Sequence, residues 1–154
     1  MKIDCIVCSS DLMEQWVEVL IEGDPDQRLF LQEEMECFDS FPGFCQFEIS
    51  ILQQCMSGGD IDYSRSIAEL HAAIDPEDGP WIMAVHTPVV AALSVARVNG
   101  DLVTAWVDAA SKFAPERREQ HEATLTLAAA EALINLSHTA VDKEMDLFVC
   151  YYEG

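Results

Sequence analysis

Positive charge is scarce in this chain. Eight lysines and arginines stand against 28 aspartates and glutamates among 154 residues, which gives a formal net charge of −20. Such a chain repels phosphate backbones and anionic lipid head groups, so direct binding of nucleic acid or of a membrane surface is disfavoured. Self-repulsion at this charge density also lowers stability. The charge therefore indicates either a need for solubility or recognition of a basic partner.

Long hydrophobic runs are also missing. The longest apolar stretches fall well short of the roughly 20 residues that a membrane-spanning helix needs. The opening residues, Met-Lys-Ile-Asp-Cys, do not resemble a secretory signal peptide. Half of the residues are nevertheless hydrophobic, which is enough for a folded core. We therefore expect a single domain over residues 1–154, located in the cytoplasm.

Motifs that carry catalytic or metal chemistry are absent. No GxSxG elbow surrounds a serine, and no glycine-rich phosphate loop with its lysine occurs. The one short cysteine spacing, Cys5-Ile-Val-Cys8, lies in a predicted strand, where these two side chains point to opposite faces. Cys150 could approach one of them to form a zinc site, but buried reduced thiols explain the six cysteines better. We predict no metal, no cofactor and no catalytic residue.

The four histidines are scattered, without the i, i+4 pairing that places two on one helix face: His71, His86, His121 and His138. His86 lies where a predicted strand ends and a helix begins. A local hydrogen-bonding role is the simpler interpretation of that position. The alternative is a small-molecule-binding or enzymatic domain with a pocket near His86.

The sequence pattern in the last fifth of the chain predicts a strand at the centre of the fold. Residues 147–152 are apolar at six consecutive positions, which is typical of a strand covered on both faces. We predict an α+β fold in which about six helices cover a sheet of about three strands, near residues 2–8, 81–86 and 146–152. Residues 63–74 show helical spacing, and residues 44–56 are ambiguous between helix and strand, with helix favoured. A long helix is expected to follow Pro115.

The N-terminal half carries most of the acidic charge. Residues 1–78 contain 18 acids and 3 bases, and residues 79–154 contain 10 acids and 5 bases. Two helices are predicted here, one from Ser9 to Gly23 and one from Asp24 to about Phe38, each with acids on its outer face. A solvated face is the simpler interpretation of this pattern, and an acidic docking surface is the functional one. The partner-binding candidates are Asp11, Glu14, Glu18, Glu22, Asp26, Glu33, Glu34 and Glu36.

The order of these features resembles the YfbM-like family of small bacterial proteins. The similarity lies in residues 81–88 (Trp-Ile-Met-Ala-Val-His-Thr-Pro), which open a helix, in residues 99–102 (Asn-Gly-Asp-Leu), which open the next, and in the strand at residues 147–149. Family members typically have a Trp-His pair in the middle helix, where residues 51–55 of this chain read Ile-Leu-Gln-Gln-Cys. The resemblance implies an α+β fold and a place among immunity proteins of bacterial toxin systems.

Charge and resemblance together suggest a function. We expect an acidic binding protein that neutralises a basic protein partner, such as an immunity protein or inhibitor of a bacterial toxin or nuclease domain. Complementary potential would accelerate the encounter, and an apolar anchor would slow dissociation. The sequence does not indicate the identity of the partner or the oligomeric state.

Overall fold

A five-stranded antiparallel sheet organises the fold. The computed structural model describes residues 1–153 and is α+β, as predicted. Its elements are β1 (Lys2–Cys8), α1 (Ser10–Glu22), α2 (Pro25–Glu34), β2 (Cys37–Pro42), α3 (Gln46–Ser57), β3 (Ala68–Ala73), β4 (Trp81–Val85), α4 (Thr87–Ser94), α5 (Gly100–Phe113), a 3-10 turn (Pro115–Arg117), α6 (Arg118–Thr124), α7 (Leu127–Asp142) and β5 (Asp146–Tyr152). The strand order is β2-β1-β5-β4-β3.

The C-terminal strand β5 lies in the middle of the sheet. It pairs with β1 on one side and with β4 on the other. Leu147, Phe148, Val149 and Cys150 are all buried, and they alternate between the two faces of the sheet. The unbroken apolar run therefore reflects cover on both faces, as the sequence predicts.

Helices cover both faces of the sheet, and alternate side chains of β1 point into the two hydrophobic cores that result. Ile3, Cys5 and Val7 point into a core shared with α3, α4, α5 and α7. Ile6 and Cys8 point into a second core, where α1 and α2 pack. The period of two in the strand sequence sets this division. As a result, the helices α1 and α2 form a separate layer on one face.

The sheet has two more strands than predicted. Residues 37–42 were expected at the end of a helix and in a turn, but they form β2, which pairs with β1. Residues 68–73 were expected in a helix, but they form β3, which pairs with β4 around a local irregularity between Leu70 and Ala72. In both places a neighbouring strand offers an open row of backbone donors and acceptors. Pairing with that row outweighs the local helical pattern.

The helical predictions are confirmed in part. Most of the ambiguous segment 44–56 is helical and belongs to α3. This helix ends at Ser57 and is followed by Gly58 and Gly59, both with positive φ. The expected long helix after Pro115 is divided into a 3-10 turn, α6 and α7. The break falls at Leu125, whose side chain is buried, and Thr126 caps α7 by accepting a hydrogen bond from the amide of Ala129 at 3.2 Å. Burial of Leu125 and this cap explain why one helix becomes two.

Candidate functional site

The eight predicted partner-binding acids all lie on the layer formed by α1 and α2. Asp11, Glu14, Glu18 and Glu22 belong to α1, Asp26, Glu33 and Glu34 belong to α2, and Glu36 lies between α2 and β2. Every one of these residues is exposed. The helices turn their apolar stripes, which include Trp16 and Leu31, towards the sheet, and the acids face away from it. We call α1, α2 and Glu36 the acidic layer.

Positive charge does not neutralise the acidic layer. Within residues 1–153, the ion pairs of the lysines and arginines join other acids, and none reaches any of the eight acids within 4.0 Å. Residues 9–39 contain ten acids and a single base, Arg28. The guanidinium of Arg28 lies 5.6 Å from the ring centre of Trp16, so it packs over an aromatic ring of the underlying core. The acidic layer therefore presents largely unscreened negative charge to solvent.

Three large hydrophobic side chains are exposed within the acidic layer, and they were not among the predicted site residues. Ile21 is 64% exposed, and Leu29 and Phe30 are each 62% exposed. On α2, Leu29 and Phe30 lie three or four residues from Asp26 and Glu33, so helical geometry places all four on the outer face. The signal was present in the sequence, because Leu29 and Phe30 fall outside the inward stripe formed by Leu31 and Met35.

A cavity lies beside His86, where the alternative hypothesis expects one. It has a volume of about 630 Å³ and is lined by Ser10, Glu69, His71, Ala84, Val85, His86, Thr87, Pro88, Val89, Asp146 and Phe148. His71 stands edge-on to Phe148, with ring centres 5.3 Å apart, and the hydroxyl of Ser10 donates to Asp146 at 3.1 Å. His86 is the N-cap of α4, and its side chain makes no capping hydrogen bond. The cavity thus gathers two imidazoles and two carboxylates from β3, the N-cap of α4 and the start of β5.

A buried polar cluster joins the start of α3 to the segment after α5. Oε1 of Glu48 lies 3.3 Å from Nη1 of Arg117 and 3.8 Å from Nε2 of His121. The other oxygen of Glu48 accepts from the backbone N–H and from the thiol of Cys45, both at 2.9 Å. On its far side, His121 Nδ1 is 3.1 Å from the hydroxyl of Ser111. The cluster therefore connects residues that are as far apart in sequence as Cys45 and His121.

Burial has the largest effect on the pKa values of two members of this cluster, His121 and Cys45. Burial lowers the pKa of His121 below its ordinary value, and the guanidinium of Arg117 lowers it further, against the opposing effect of Glu48. Burial also raises the pKa of Cys45 to about 12, with the Glu48 carboxylate acting in the same direction. The thiol consequently stays protonated at neutral pH, and its reactivity is low because the thiolate is the nucleophile.

The composition Ser111, His121 and Glu48 is that of a hydrolytic triad, but its geometry does not fit catalysis. His121 and Glu48 are fully buried and Ser111 is 6% exposed, so a substrate cannot reach the hydroxyl. The 3.8 Å between His121 and Glu48 also exceeds a hydrogen bond. We assign the cluster a structural role. Glu48 could have been noticed in the sequence as the single carboxylate in the otherwise apolar and neutral run of residues 41–56.

The six cysteines are free thiols in the structure. Three of them are buried (Cys5, Cys8 and Cys150), and three are half-buried (Cys37, Cys45 and Cys55). Cys5 and Cys8 enter different cores on opposite faces of the sheet, as their spacing predicts. Among residues 1–153, no group of three or more His, Cys, Asp or Glu side chains is arranged to hold a metal ion. In the same part of the chain, no helix has both the length and the apolar composition that crossing a bilayer requires.

Comparisons of the chain with protein-family models, with curated proteins and with solved structures found no match. The resemblance to the YfbM-like family therefore stays a prediction.

Proposed function

We propose that this protein binds a basic protein partner through the acidic layer and neutralises it. The coincidence of two features on one surface carries the proposal: eight exposed acids without a lysine or arginine within 4.0 Å, and the exposed side chains of Leu29 and Phe30 among them. Unscreened charge accelerates encounter with a basic surface. Apolar side chains that become buried on contact slow dissociation.

The chemistry of the surface favours a cationic partner over a second copy of the chain. Two acidic layers facing each other would bring together two segments, residues 9–39, that each contain ten acids and one base. Like charges placed opposite each other across an interface oppose association. A toxin or nuclease domain whose active-site cleft binds phosphate carries positive charge there, which is complementary to the acidic layer. Covering that cleft would inhibit the domain.

The test is to titrate purified basic nuclease domains with this protein and to measure association rates and residual nuclease activity. Raising the ionic strength from roughly 0.01 M to roughly 1 M shortens the Debye length from about 30 Å to about 3 Å, and we expect the association rate to fall at least about tenfold. An association rate that does not change with salt would contradict the proposal.

Two variants with the same net charge distinguish the effect of the acidic layer on association from the effect of the overall charge of the protein. The first replaces Glu14, Glu18, Glu33 and Glu34 by Gln. The second, a matched control, replaces four exposed acids outside the acidic layer by Gln: Glu116, Glu119, Glu131 and Glu144. We expect slow association in the first variant and nearly unchanged association in the second. Equal effects would show that only the overall charge matters.

A second candidate function is small-molecule binding or catalysis at the cavity beside His86, and the cavity of about 630 Å³ favours it. Polar groups from β3, from β5 and from the starts of α1 and α4 converge there, as in many ligand sites. The test is to follow the imidazole NMR signals of His71 and His86 while a library of small metabolites is added. Shifts that persist in the four-glutamine variant of the acidic layer would favour this function.

A further inference from the structure

A second cavity lies between the start of α3 and the strands β4 and β5, on the face of the sheet opposite the acidic layer. Its volume is about 410 Å³. Seven residues line it: Cys45, Gln46, Phe47, Trp81, Met83, Val149 and Tyr151. All of them except the buried Val149 are only partly buried, so the cavity opens to solvent. It is separate from the cavity beside His86, because Phe47, Met83 and Tyr151 pack with the core on the α3 side.

The wall of this cavity is largely aromatic, and its rings pack against other aromatic rings. Trp81 and Tyr151 are cross-strand partners, with ring centres 5.7 Å apart and planes inclined by 31°. Phe47 packs against Phe113, with ring centres 5.0 Å apart. A flat ring entering the cavity can therefore contact aromatic faces and edges together with the Met83 thioether, and both kinds of contact are favourable.

The charge of the wall is the second observation. The chain carries −20 overall, yet none of the residues lining this cavity has a charged side chain at neutral pH. Burial raises the pKa of Tyr151, which keeps its phenol neutral. An uncharged wall gives an ionic ligand no counter-ion, and desolvating an ion without one is costly. The complementary ligand is therefore neutral.

One polar group in the lining, the amide of Gln46, is incompletely hydrogen-bonded. Its oxygen is buried and has no hydrogen-bond partner among residues 1–153. Leaving a buried acceptor unpaired lowers stability, so a donor that reaches it is favoured. Rotation of the amide towards the cavity would let a ligand N–H donate to this oxygen. From these observations we propose that the cavity is a binding site for a neutral, planar aromatic molecule with an N–H donor.

Indole serves as the probe, and the methyl group of Met83 serves as the reporter. The protein is labelled with ¹³C at its six methionine methyl groups and titrated with indole. A ring bound in the cavity shifts the Met83 signal saturably through its ring current, while the other five methionine signals stay in place. Indole-3-acetate is the charged analogue, and we expect its affinity to be at least tenfold lower.

Variants test the wall and the polar contact separately. Trp81→Leu removes one aromatic face, and we expect indole affinity to fall about two- to tenfold. Gln46→Met keeps the side-chain length without the amide, and we expect a similar loss. Phe30→Leu, an exposed aromatic position on the other layer, is the matched control and should bind indole like the wild type.

Several results would overturn the site. These are an unmoved Met83 signal, proportional shifts of all six methionines, and wild-type affinity in Trp81→Leu. Equal affinity for indole-3-acetate would contradict the requirement for a neutral ligand, and wild-type affinity in Gln46→Met would contradict the proposed hydrogen bond. A Met83 shift that depends on protein concentration without indole would show instead that a second copy of the chain fills the cavity.

Discussion

Glu48 and Arg117 form an ion pair in which the Glu48 side chain is fully buried and the Arg117 side chain is 26% exposed. Nη1 of Arg117 lies 3.3 Å from Oε1 of Glu48, and Nη2 donates to the carbonyl of Gly43 at 3.2 Å. One side chain therefore connects the 3-10 turn after α5 to the loop before α3. A buried carboxylate keeps its charge only where such a partner offsets the loss of solvation.

Removal of the guanidinium should destabilise the fold strongly. We expect Arg117→Met to lower the free energy of unfolding by about 3–5 kcal/mol, because it leaves a buried carboxylate without its cation. Urea denaturation followed by circular dichroism measures this change. The neighbouring Arg118 is the matched control, since its partners Asp108 and Glu122 are exposed, and Arg118→Met should destabilise the fold much less than Arg117→Met. Similar losses in the two variants would show that the buried pair does not contribute to stability.

The buried His121 should make stability depend on pH. Because its pKa is lower in the folded state than the ordinary value of 6.5, the unfolded chain binds a proton more readily. The contribution of His121 is therefore complete above pH 6.5 and is lost as the pH falls below that value, with a slope of at most about 1.4 kcal/mol per pH unit.

The measurement compares unfolding free energies of the wild type and His121→Gln across this pH range. The difference between them isolates His121 from the titration of the many carboxylates. We expect the wild type to lose its advantage over the variant on acidification. His138→Gln, at an exposed position, should follow the wild-type profile. A difference between wild type and His121→Gln that is constant with pH would refute the role of His121.

The N-cap of α7, Thr126, should contribute about 1 kcal/mol to the free energy of unfolding. Thr126→Ala removes the hydroxyl that accepts from the Ala129 amide, and a loss of that size is typical of an N-cap. Thr126→Ser keeps the acceptor and should restore most of the stability. Thermal unfolding of the three proteins gives the comparison. If the alanine and serine variants have the same melting temperature, the hydroxyl is not the stabilising group.

The two ends of α1 should respond in opposite ways to loss of an acid. Glu22 lies in the last turn, at the negative end of the helix dipole, whereas Asp11 lies in the first turn. We expect Glu22→Gln to raise the unfolding free energy by about 0.3–1 kcal/mol and Asp11→Asn to lower it by a similar amount. Urea denaturation at low salt measures both changes. Stabilisation by both variants would mean that general charge repulsion outweighs the dipole.

The sequence determined the parts of this protein that depend on short-range pattern. Residues 2–8 and the apolar run at residues 147–152 predicted the strands β1 and β5, and the run also predicted that β5 is covered on both faces, because the period of side-chain direction in a strand is fixed. Asp24 and Pro25 predicted the start of α2 by the same local chemistry of a cap and a first helical residue. The outward position of the acids on α1 followed from helical spacing.

Tertiary structure decided the rest. Residues 68–73, Ala-Glu-Leu-His-Ala-Ala, favour a helix locally, and they form β3 because β4 offers unpaired backbone groups that this segment satisfies. Glu48 meets Arg117 and His121 only because α3 packs beside α5 and the turn that follows it. The aromatic cavity likewise requires Phe47, Trp81 and Tyr151 to be brought together from three elements. Contacts between residues far apart in sequence depend on packing of the whole chain, which no local pattern encodes.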